Sequence, residues 1–119
     1  MPVIDPTTLV GKEIQPNMFM RRLVSQDPEE QKTAMAATAL RVGQLEVGPG
    51  ASIGPHSHTA NDEVMVVLEG ELEITLGDQV HKLKPGQAAL APINSTHIIA
   101  NRGQQTAKCL IISHSEVRA

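Results

Sequence analysis

The chain has 119 residues, 40% of them apolar and 19% charged, and its ten basic and thirteen acidic side chains leave a net charge of −3. That is one domain's worth of globular chain without the basic stripe a nucleic-acid partner requires; the nearest approach, Arg21-Arg22 beside Met20, reads as the solvated edge of a strand. No stretch approaches the ~20 apolar residues of a membrane-spanning helix, and the start, Met1-Pro2-Val3-Ile4-Asp5-Pro6, lacks the basic-then-apolar form of a signal peptide.

Two helix starts occur early. Asp5-Pro6-Thr7-Thr8 and Ser25-Gln26-Asp27-Pro28-Glu29-Glu30 each place a capping side chain before a proline. Neither is followed by a long 3.6-residue period, so single turns are expected at most. Between them Met18–Val24 reads as a strand. Met35–Val47 is a long extended segment, with Gly43 a candidate bulge, ended by Gly48-Pro49-Gly50. Short strands follow over Ser52–His58, Glu63–Leu68 and Leu72–Leu76, the first pair joined by Thr59-Ala60-Asn61-Asp62, which has turn chemistry. In the last of these, Leu72, Ile74 and Leu76 alternate with Glu73 and Thr75, the period of a strand with one wet face. Gly77-Asp78 makes a hairpin turn, and Val80–Lys84, Gln87–Ala91, Thr96–Ala100 and Ala107–Ser113 complete the set. Regular short strands separated by turn signals define a sandwich or closed barrel. The division expected is an arm over residues 1–34, its strand at a dimer interface, and a barrel over residues 35–119.

Single residues narrow the chemistry. The one cysteine, Cys109, sits in the apolar run Cys109-Leu110-Ile111-Ile112 and reads as a buried inert thiol; with no disulfide possible within the chain, the cytoplasm is the expected compartment. There is no Trp, no Tyr and one Phe, Phe19, which removes tyrosine acids, bases and radicals from consideration. Of five histidines, His81 after a hairpin turn and His114 near the terminus read as surface or hydrogen-bonded residues. His56 and His58 differ. At i and i+2 of an extended segment both rings leave one face, roughly 6.7 Å apart at Cα, and can share an ion at about 2.1 Å. Glu63 opens the next strand, which as an antiparallel neighbour would return its carboxylate beside them, and His97 from a later strand would complete the ligands. Three imidazoles and a carboxylate suit manganese, iron, nickel, zinc or cobalt rather than calcium or magnesium.

These residues also carry a resemblance. Gly50, five residues, His56-Ser57-His58, four residues, Glu63, six residues and Gly70 reproduce the first motif of the cupin superfamily. Gly86, five residues, Pro92-Ile93-Asn94, two residues, His97, three residues and Asn101 reproduce the second, except that Asn94 stands where the family has glycine. Asn is the residue after glycine most tolerant of positive φ, so the turn survives the change. The chain is therefore similar, over residues 40–113, to small single-domain cupins. The resemblance implies a double-stranded β-helix (a small jelly-roll barrel), one divalent transition metal on His56, His58, Glu63 and His97, and a homodimer. Asn101 reads as a strand-end turn residue.

Beyond the metal the reading is coarser. Leu45 and Val47 should face the interior, and Arg41 shares their parity; it would clamp an anionic substrate unless a bulge at Gly43 turns it outward. Met65 and Val67, two and four residues beyond Glu63, should line the pocket, whereas Gln44 has the opposite parity. The function expected is a metal-binding enzyme of dioxygenase, isomerase or cyclase type acting on a small oxygenated or anionic molecule. The alternative is a non-catalytic ligand or metal sensor on the same fold.

Overall fold

A computed structural model describes residues 3–59 and 61–114. Met1 and Pro2 of the expected leaderless start, Ala60 of the expected turn and residues 115–119 of the expected barrel lie outside it. Eleven strands run in chain order among the described residues: β1 (Lys12–Gln15), β2 (Met18–Ser25), β3 (Met35–Ala36), β4 (Leu40–Val47), β5 (Ser52–His56), β6 (Glu63–Glu69), β7 (Leu72–Leu76), β8 (Gln79–Leu83), β9 (Ala88–Ala91), β10 (His97–Ala100) and β11 (Ala107–His114). The two expected helix starts give single 3-10 turns at Pro6–Thr8, where Asp5 caps the Thr7 N–H, and at Glu30–Lys32.

Alternation decides which way each strand faces. In β7 Leu72 and Ile74 are buried while Glu73 and Thr75 are partly exposed, and in β11 Ala107, Cys109 and Ile111 are buried between half-exposed Lys108, Leu110 and Ile112. The large sheet has the order β1-β2-β4-β11-β6-β9 with β3 beside β2; the small sheet is β5-β10-β7-β8. One apolar core joins them, with Leu45, Met65, Val67 and Cys109 from the large sheet packed against Leu72, Ile74 and Ile99 from the small one. Each such side chain contributes roughly 1.5–3 kcal/mol by leaving water. The result is the expected all-β jelly roll. Among the described residues no helix is long and apolar enough to cross a membrane.

The arm at residues 1–34 adds strands to the same sheet as the barrel: β2 pairs antiparallel with β4, and Met18 is fully buried. Sequence reading missed β1, because Lys12–Gln15 is exposed throughout and shows no alternation. The bulge expected at Gly43 is absent. The β4–β11 register runs without a break from Leu40 to Val47, and the irregularity lies in β2, between Arg22 and Val24. Gly43 has a different reason to be glycine. A Cβ there would collide with Met20 Sδ and stand 2.9 Å from Arg22 Nη1, so its bare backbone makes room for two side chains of β2.

Candidate metal centre

His56, His58, Glu63 and His97 come together, with one potential ligand atom from each lying within 4.8 Å of all the others. They arrive from both sheets. His97, at the start of β10, stands directly opposite His56 at the end of β5. His58 lies beyond the strand, which ends at His56 rather than continuing as expected. Its place is set by loop contacts: the Asn94 N–H donates to the His58 carbonyl at 2.7 Å, and the Ile93 N–H donates to Asp62 Oδ1 at 2.9 Å. Asn94 makes that turn at φ +68, the positive value its substitution for glycine required. Glu63 does not return on a strand hydrogen-bonded to β5. β6 belongs to the large sheet, so the carboxylate meets the imidazoles across the barrel interior. Inward parity, rather than hairpin adjacency, brings it there.

The donor set fits a metal ion. Glu63 Oε2 is 3.1 Å from His58 Nε2, and Oε1 is 3.4 Å from His97 Nε2. His56 Nδ1, His58 Nε2 and both ring nitrogens of fully buried His97 have no hydrogen-bond partner. An unsatisfied buried polar group costs roughly 1–3 kcal/mol, so so many on one small cluster call for a common acceptor of lone pairs. Charge agrees with this. Burial, then the neighbouring His97, lowers the His56 pKa, which favours the neutral ligand form. Burial alone would raise the Glu63 carboxyl, but His97, His58 and His56 around it hold it below its ordinary value. The four residues are of the donor types a divalent transition metal takes, and the shifts of His56 and Glu63 favour their ligand forms.

Beside the cluster lies a cavity of about 290 Å³, walled by Met20, Arg22, Gln26, Arg41, His58, Asn61, Glu63, Ile111, Ser113 and His114. Arg41 faces inward: it pairs with Ser113, which pairs on its other side with Glu63, so the three share a row on the inner face. Met65 and Val67 also face inward, but they are 0% and 1% exposed in the core and are not among the residues walling this cavity. Gln44 pairs with Leu110 on the outer face, as its parity implied. Arg22, Gln26, Asn61, Ser113 and His114 were not assigned to a pocket from the sequence, which reads Arg22 as a strand edge, Asn61 as a turn residue and His114 as a surface or hydrogen-bonded residue. Ser113 could have been found by parity from Ile111, and Arg22 by parity from Met18 and Met20, with which it shares the regular part of the β2–β4 register. His114 accepts the Asp62 N–H at Nε2, 3.0 Å away. Cys109 is buried and its thiol is pushed up to about 12, chiefly by burial, which makes it inert as expected. Asn101 clamps the chain and ligates nothing: its amide donates to the Val47 and Gln105 carbonyls.

Fold and cluster together define a small jelly-roll protein with a potential centre of three histidines and one glutamate. Residues 43–113 match the family model of the Cupin domain, and the chain belongs to that family. It is 29% identical over 112 residues to the polyketide synthase CurC of Streptomyces cyaneus, an alignment covering 91% of this chain and 69% of CurC. Among solved structures it resembles a predicted oxalate decarboxylase from Thermotoga maritima, with TM-score 0.80 and 20% identity over 95% of this chain and 98% of that one. It also resembles the polyketide cyclase RemF from Streptomyces resistomycificus, with TM-score 0.79 and 22% identity over 100% of this chain and 87% of RemF.

Proposed function

We propose that the protein is a metal-dependent enzyme of the isomerase or cyclase kind, acting on a small oxygenated molecule. The observation that carries this reading is the position of His58 and Glu63. Both belong to the candidate ligand set and both wall the 290 Å³ cavity, so an ion held by the four residues would face a space of ligand size. A centre serving structure alone is closed by its protein ligands, whereas a catalytic one keeps an open side. The likeness to CurC and RemF, whose names place them in polyketide chemistry, supports carbon-skeleton rearrangement over other chemistries.

A bound divalent ion would supply Lewis acidity toward a carbonyl or enol oxygen. The chain's own part is to orient and to manage protons. Gln26, Asn61 and Ser113 offer polar groups along the cavity wall. An imidazole outside the ligand set is present at His114. Its Nε2 accepts the Asp62 N–H, so the neutral ring carries its proton on Nδ1. No tyrosine exists to compete for that role.

The test is solvent exchange. Protein reconstituted in turn with manganese, iron, nickel, zinc and cobalt is incubated with acetylacetone or ethyl acetoacetate in deuterated buffer, and loss of the C–H signal is followed by NMR against H58A. Faster exchange with wild type supports the reading. Equal rates with wild type, H58A and buffer for every metal reject it in favour of a non-catalytic binding module.

A further inference from the structure

Two guanidinium groups stand in the wall of the cavity that also exposes Glu63 and His58, and neither the metal centre nor the proton chemistry uses them. Arg41 reaches it from β4 in the row of Ser113 and Glu63; Arg22 reaches it from β2 across the bare backbone of Gly43. A single carboxylate bridges them. Glu30 takes the Nε–H of Arg22 at 3.3 Å and an Nη2–H of Arg41 at 3.3 Å, and Ser25 Oγ donates to the same carboxylate at 2.8 Å. Burial and the neighbouring Arg41 disfavour the Arg22 cation, while Glu30 and Glu63 support it. Burial works against ionised Glu30 too, yet Ser25 and the two arginines keep its pKa lowered. The cluster is thus a fixed fork of two cations on one anion.

We infer that Arg22 and Arg41 form a subsite for a carboxylate carried by the substrate. The inference rests on the enzyme reading above and names its substrate class: a keto or hydroxy acid whose oxygenated carbon faces the candidate metal ligands. Each guanidinium has five N–H donors, and Glu30 engages one on each, so both retain donors for a second planar anion. Fork-to-carboxylate geometry is what arginine recognises best. Arg22, Arg41 and Glu30 together carry one net positive charge, which one carboxylate neutralises. The pair also borders a second, outer cleft of about 350 Å³ lined by Val10, Lys12, Ile14 and Thr33. Arg22 and Arg41 wall both spaces.

The test is calorimetric titration with levulinate, its methyl ester and hydroxyacetone phosphate, on metal-loaded and metal-stripped protein. Expected are binding of levulinate to wild type, binding at least about tenfold weaker for the ester, and an about tenfold or greater loss in R22Q and in R41Q. K12Q, which removes a cation of the outer cleft alone, should stay within about twofold, the scale of a screened exposed charge. Arg41 is half-exposed, so R41Q keeps the test open should R22Q fail to fold. Equal levulinate affinity in wild type and R41Q, equal affinity for acid and ester, or no levulinate binding at all overturns the inference. Tighter binding of the phosphate with the same arginine dependence overturns the carboxylate assignment. A protein that takes up no metal refutes the enzyme reading, and the arginine dependence of the stripped protein still decides the subsite.

Discussion

Replacing Gly54 by alanine tests whether the close approach of β5 to β10 shapes the four-residue cluster. Gly54 sits at φ +115, and a Cβ there would stand 2.6 Å from the His97 carbonyl oxygen and 3.2 Å from His56 Nδ1. The backbone conformation costs a non-glycine residue about 1–3 kcal/mol. The clash is with backbone, which cannot rotate aside, so the strands must part where His56 faces His97; losing the equivalent of one net hydrogen bond adds about 1 kcal/mol. Together these give about 3 kcal/mol, which for a chain of this size is a fall of roughly 12 °C in Tm. Gly77 is the control. It too has positive φ, at +60, but nothing lies within 4 Å of its added Cβ, so G77A should lose only the conformational part, about 1 kcal/mol or roughly 4 °C. Calorimetry paired with elemental analysis after reconstitution reads both effects. G54A should hold well under one metal per chain and G77A as much as wild type. If G54A melts within about 2 °C of wild type and keeps its metal, strand proximity at Gly54 does not set the centre.

Four further outcomes are expected. Protein purified without added metal should carry about one transition metal per chain, and H58A should lose it; equal metal content by elemental analysis would refute the ligand assignment. M65A removes a side chain with 0% exposure from the core and should cost about 2–5 kcal/mol in a denaturant melt. Acid should destabilise the metal-free protein, because His56 and Glu63 both have lowered pKa values in the fold. Their contributions are complete above the ordinary values of 6.5 and 4.5 and are lost as pH falls through the folded ones. Tm followed by circular dichroism should therefore decline below about 6.5, and the excess stability of the loaded form should shrink over the same range as protons displace the ion. We expect a homodimer, since β1 leaves an exposed edge on the large sheet; sedimentation as a monomer at micromolar concentration would count against it.

Much of this protein was legible one residue at a time. The His-x-His spacing and the resemblance to the cupin motifs together singled out His56, His58, Glu63 and His97, because metal ligation tolerates few donor types. Alternation likewise placed Leu72 and Ile74 inside, and the apolar run around Cys109 placed its thiol there. Asn94 announced a left-handed turn, and the φ of +68 follows from that chemistry. What the chain order could not decide was which strands are neighbours. β5 and β6 follow one another in sequence yet lie in different sheets, so Glu63 meets the histidines across the interior instead of along a hairpin. Arg22 looked like a solvated strand edge because its surroundings come from residues far along the chain: Gly43 beside it, Arg41 and Glu30 as its charged neighbours, and His114 on the same cavity wall. Local periodicity registers which face a residue takes. It carries no record of long-range strand pairing, and the pairing of β2 with β4 and of β11 with β4 and β6 places the arginines beside the metal ligands.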